Sequence, residues 1–170
     1  MRPKTKLPKV VVIRNSNGDT RSADKIPSFE EFQKANDMHI RDVSTVMNNI
    51  GNEIIKRGDI HDWTKKEKED LFYREFIETL KDGKKFTDGE WFNYHINTER
   101  HHLTRKPVED INLIDVLEYI SDCYCAGKAR SGNVYPLTIS DSDLRKAFEN
   151  TCKLVDESIS INDKKINPEG

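Results

Sequence analysis

Cysteine is scarce in this chain, with three residues among 170. Cys123, Cys125 and Cys152 are an odd number, and the apolar "VVVI" near the start is too short for an export-signal core, so a disulfide framework is excluded and reduced cytoplasmic thiols are expected. Cys123 and Cys125 also make a poor metal pair, because C-x-C on a helix aims its sulfurs about 200° apart. No apolar run approaches the roughly 18 residues of a membrane span, so no membrane partner is expected. Nor is there an excess of one charge: 28 basic against 30 acidic residues leave a net charge of -2, with no global basic field for duplex nucleic acid. Internal repeats and low-complexity segments are absent as well.

What is present suits one helical domain. Charged residues are 34% and apolar ones 35%, the balance of amphipathic helices around a single core. Residues 9–23, "KVVVIRNSNGDTRSA", read as a hairpin about "NSNG", with Gly18 supplying a positive φ. Ser28 and Glu31 have capping-box spacing and open a short helix. A longer helix is expected over Asp37–Arg57, ended by Gly58, with Val43, Val46, Ile50 and Ile54 as its apolar stripe. Thr64 with Glu67 forms a second box, starting a helix to about Lys81, and Thr87 with Glu90 forms a third. After Pro107 the most apolar segment, "VEDINLIDVLEYISDCYCAG", reads as a central helix stopped near Gly127. Ser140 and Asp143 open a last helix to about Ser158. The expected architecture is mainly α, a bundle of five or six helices. Residues 1–27 form a hairpin appendage, 28–158 the helical domain and 159–170 a flexible tail.

The five histidines decide the chemistry. His39 falls within about 40° of Val43, Val46 and Ile50, on the expected core-facing stripe, where a hydrogen-bonded core histidine is the plain alternative to a ligand. His61 and Asp62 follow the glycine that ends this helix. Neighbours diverge by about 100° within a helix, but at a turn both can aim at one ion. The plain alternative makes Asp62 a capping acid. His95 and His102 are two helical turns apart, with Glu99 beside them, and His101 joins them only if the helix ends there. Asp115, Glu118 and Asp122 then form an acidic stripe on the most apolar helix, where a buried carboxylate needs a cationic partner. Imidazoles and carboxylates without thiolates suit a divalent ion: Mn, Co, Fe or Ni, with Zn and Mg also fitting.

The order His39, His61-Asp62, Asp122 on helices resembles the HD-domain superfamily of metal-dependent phosphohydrolases, over about residues 37–158. "YISDC" is similar to that family's last ligand segment. The resemblance implies an HD-domain-like bundle with His39, His61, Asp62 and Asp122 holding one divalent ion, and His95, His101 and His102 available for a second. "HDWTK" places Lys65 where some branches use a lysine on substrate phosphate. It implies a cytoplasmic enzyme cleaving a phosphate ester or anhydride of a nucleoside mono- or triphosphate by metal-activated water, like small stand-alone phage-type hydrolases. The additional histidines also resemble those of cyclic-dinucleotide phosphodiesterases, so a cyclic nucleotide signal is the alternative substrate. A non-enzymatic helical module that binds a nucleotide or is stabilised by metal is the second alternative. The catalytic roles then fall to Lys65, to His95 as proton donor, and to Glu118 as an orienting carboxylate. Lys65, Arg100, His102, Lys128 and Arg130 would receive phosphates, with Trp63, Trp91, Tyr94 and Tyr124 as candidates to stack on a base. The nucleotide is the expected partner, and association of copies of the chain stays open.

Overall fold

The computed structural model describes residues 4–15, 26–105, 107–134 and 136–164. The fold is mainly helical, as expected. Strand β1, Val10–Asn15, precedes helix α1, Phe29–Asp59, then α2, Trp63–Glu67, and α3, Glu69–Asp82. A 3-10 turn at Phe86–Asp88 leads into α4, Glu90–Thr98, followed by α5, Leu113–Ser131, α6, Asp141–Ser158, and β2, Ile159–Lys164.

The chain divides into two compact units, one of Met1–Thr5 with Ile54–Cys152, the other of Lys6–Glu53 with Lys153–Gly170. This cuts across the boundaries expected at residues 27 and 158. In the second unit β1 pairs in parallel with β2, Val10 opposite Ile159 through Asn15 opposite Lys164. The segment expected to fray therefore supplies a strand, and the partner of β1 is not its neighbour in sequence. Beyond Asn15, the "NSNG" turn lies outside the described residues.

Helix α1 begins where its capping box predicts: the Ser28 backbone N–H donates to Glu31 at 2.7 Å and the Glu31 N–H to Ser28 Oγ at 3.2 Å. From there it runs without a break to Asp59, through Gly58. Its buried stripe passes through Ala35 and Asn49, with Met38, Asp42 and Val46 half-buried between them. That stripe is turned by about one residue from the expected one, so Val43 and His39 are exposed. The polar Asn49 decides the phase, since its amide donates to the Pro8 carbonyl at 2.8 Å.

In the first unit, α5 starts at a full capping box. Asn112 Oδ1 accepts from the Ile114 and Asp115 N–H groups, while Asp115 Oδ2 accepts from the Asn112 N–H. Leu103, Ile111, Val116, Tyr119 and Ala147 pack the core between this helix and α6. An aromatic cluster fixes α4: Trp91 stacks on Phe72 at 4.1 Å and on His95 at 4.8 Å, with Phe86 5.6 Å away. Trp91 is thus core packing that holds a site histidine, and not a surface for a base. Helix α5 is less enclosed than its composition suggests, for Leu117 and Ile120 are exposed.

Candidate metal centre

The turn between α1 and α2 is the key local structure. Asp62 has φ 56°, a left-handed conformation that Asp tolerates better than most residues at a cost on the order of 1 kcal/mol. This sharp reversal lets His61 and Asp62 present their side chains to one region, as a regular helix would not. Helix α4 ends at Thr98, which frees His101 and His102 to fold back beside His95. Glu118 and Asp122, one turn apart on α5, complete the cluster.

Asp62 stands at the centre. Its Oδ1 lies 3.5 Å from Nε2 of His95 and 3.5 Å from Nε2 of His101. Its Oδ2 lies 3.4 Å from His61 Nε2, which is also 3.6 Å from Asp122 Oδ1, and it accepts from the Lys65 ammonium. His102 Nε2 faces His95 Nε2 at 2.8 Å. Three groups among the described residues have metal-binding geometry: Asp62 with His95, His101 and His102, Asp62 with His61 and Asp122, and His61 with His101 and Glu118.

The hydrogen-bond network assigns the tautomers. Glu118 Oε1 accepts from Nδ1 of His61 at 3.0 Å and from Nδ1 of His101 at 3.1 Å. Thr64 is fully buried and donates to Glu99 Oε1 at 2.7 Å, so the 2.7 Å contact between its hydroxyl and His95 makes His95 Nδ1 the donor. Each ring thereby has a proton on Nδ1 and turns Nε2 toward Asp62. Holding the far nitrogen of a histidine by a carboxylate or hydroxyl in this manner is how proteins orient metal ligands. Thr64 was expected to cap α2, but Asp62 takes the cap position without a side-chain bond. Thr64 and the Glu99 role are what reasoning from sequence missed; Glu99 four residues after His95 was the only signal.

Two atoms test whether this donor set fits a cation. Asp62 Oδ1 and His101 Nε2 are buried, lack hydrogen-bond partners, and face each other. Two buried polar atoms left unpaired at that range call for positive charge beside them, and a cation between them supplies it. Ligands on one divalent ion with bonds of about 2.1 Å stand about 3.0–3.4 Å apart, close to the separations here. The set fits.

The electrostatics agree. Burial pushes the His95 imidazole down to about 4 and the His102 imidazole down to about 3, so both are neutral, as ligands must be. Burial works against the Glu118 carboxylate, but hydrogen bonds from His101 and His61 hold it down at about 2. Asp122, then Glu118, raise His61 to about 10. The carboxylates therefore demand positive charge beside them, met by a proton on His61 when no cation supplies it.

Several expected residues lie elsewhere. His39 is exposed in the other unit and belongs to none of the metal-binding groups among the described residues. Arg100 is not a phosphate receptor: it is 1% exposed and grips both Asp115 oxygens at 2.7 Å, with Asp110 at 3.0 Å. Lys128 and Arg130 are exposed at the end of α5, and among the described residues no hydrogen bond or ion pair joins them to the cluster. Tyr94 hydrogen-bonds Glu67 under Lys68, Trp63 is half-buried, and Tyr124 is exposed. Behind the centre, Arg57 is buried with Nε 3.8 Å from Glu118 and Nη2 bonded to Thr5 at 2.9 Å.

A helical protein carrying a buried histidine–carboxylate cluster around one central aspartate is the class defined so far. Residues 28–161 match a family of unknown function, DUF5662, and the chain belongs to that family. Comparison with curated proteins and with solved structures finds no match. Among the described residues no helix is long and apolar enough to cross a membrane.

Proposed function

We propose that the chain is a metal-dependent phosphohydrolase acting on a phosphate ester or anhydride, with the histidine–carboxylate cluster as its active site. The observation that carries this reading is the pair of orphaned, opposed atoms on Asp62 and His101 at the centre of converging imidazoles. The resemblance of "HDWTK" and "YISDC" to HD-domain hydrolases supports it.

His95, His101, His102 and Asp62 Oδ1 would hold one divalent ion, and His61, Asp122 and Asp62 Oδ2 a second. Bound there, a divalent ion makes hydroxide available at neutral pH and offsets charge developing on the phosphoryl oxygens. The oxygen of water bonds to phosphorus, the P–O bond to the leaving group breaks, and the proton that the water gives up ends, through solvent, on the leaving oxygen. His95, neutral and turned to the proposed metal, is not the proton donor expected of it. Lys65, partly exposed and paired with Asp62, donates to a non-bridging oxygen of the phosphoryl group. Glu118 and the Thr64–Glu99 pair keep the imidazoles aimed, so their contribution is to position other groups.

Two adjoining groups that share Asp62 favour a second substrate reading, a phosphodiesterase for a cyclic nucleotide or dinucleotide. The test is phosphate release from a panel of nucleoside mono- and triphosphates, cyclic nucleotides and simple monoesters such as phenyl phosphate, with protein of measured Mn, Co, Fe or Zn content. Free phosphate or pyrophosphate is expected, and a linear product from a cyclic substrate would select the second reading. Full metal loading with no cleavage of any substrate would make the centre structural and remove the enzymatic reading.

A further inference from the structure

A cavity of about 310 Å³ opens directly on one side of the cluster, with His61, Glu118 and Asp122 among its lining residues. Its other walls come from the end of α1 and from α5: Ile54, Ile114, Leu117 and Cys125. The volume is at the small end of the roughly 300–1,000 Å³ of small-molecule sites.

Most polar groups on these walls are already engaged, with Glu118 Oε2 left without a hydrogen bond. The Arg57 guanidinium is buried, bonded to Thr5 and close to Glu118 and Asp115. The Ser121 hydroxyl donates to the Leu117 carbonyl at 2.9 Å. Glu118 is held by two imidazoles. Apart from His61 and Asp122, which the proposed metal would engage, the lining offers no solvent-facing charge to receive further phosphates. What remains is aliphatic surface and a thiol.

We infer that this cavity receives the organic group of the substrate, and that the substrate is a phosphate monoester of a compact, uncharged, largely apolar alcohol, not a polyphosphate or a cyclic dinucleotide. This deepens the hydrolase reading and rests on it for the cleavage step. Leu117 and Ile54, apolar yet partly exposed at the mouth, are the residues that set size and polarity.

Calorimetric titration of Mn-loaded protein with phenylphosphonate, methylphosphonate and ATP tests the cavity without requiring turnover. Phenylphosphonate should bind more tightly than methylphosphonate. Leu117→Trp, which fills the cavity, should weaken the phenyl compound by about tenfold or more while leaving the methyl compound and the metal content unchanged. Ser121→Phe, on the same wall, provides a second obstruction should Leu117→Trp fold poorly. Equal affinity for the two phosphonates, tighter binding of ATP, absence of phosphonate binding, or indifference to both obstructions overturns the inference. Phosphonate binding as expected with no hydrolysis of phenyl phosphate would leave the cavity assignment standing and refute the hydrolase reading.

Discussion

The two sides of Asp62 differ in a way that divides the labour of the centre. On one side, His95 and His101 have side chains 6% and 1% exposed, packed under Trp91 and tied through Thr64, Glu99 and Glu118. On the other, His61 and Asp122 are each 29% exposed and border the cavity. A more enclosed ligand set holds an ion more firmly, while a half-open one leaves coordination positions for water and substrate. On the proposed reading the enclosed side would serve retention and the open side exchange.

The largest expected effect comes from destroying what both sides share. Asp62→Ala should abolish cation binding and turnover together, with the helical circular dichroism preserved. Retention of a full metal load would show that Asp62 bridges nothing. Lys65→Ala acts only on the open side: turnover should fall by about 100-fold or more with metal content unchanged. Metal loss there would make Lys65 a structural partner of Asp62.

Thr64→Val probes the enclosed side, because valine keeps the volume and removes the hydroxyl that fixes the His95 tautomer. Metal affinity should drop by about 10–100-fold, while binding of phosphonate at saturating metal stays as in the parent protein. A loss of phosphonate binding without loss of metal would erase the distinction between the two sides. The smallest effect belongs to His39→Ala, for which metal content and turnover should remain within about twofold, consistent with its exposed position outside every metal-binding group of the described residues. A lost ion in that variant would restore His39 to the ligand set.

Much of this centre was legible in the chain. The histidine–aspartate doublet after a helix, the three histidines within a short span and the acidic stripe of α5 are local patterns, and local geometry carries them into the structure. Glu118 one turn before Asp122 shares that stripe, and its contacts to His61 and His101 follow from the same local spacing. His39 was misplaced because helical periodicity gives spacing but not phase. The choice between faces 100° apart was made by Asn49 bonding to Pro8, a contact 41 residues distant. Arg100 looked like a receptor for phosphate because its buried partner Asp115 lies 15 residues away. Thr64 matched a capping box so well that its bonds to α4 and the following turn stayed hidden. The β1–β2 pairing joins opposite ends of the sequence, beyond the reach of any turn signal.

The most direct test is elemental analysis of the purified protein after equilibration with Mn, Co or Zn and removal of free ion, run beside folded Asp62→Asn. The account predicts stoichiometric divalent metal in the parent chain and its loss in the variant. A parent protein that comes through metal-free and fully folded would contradict it.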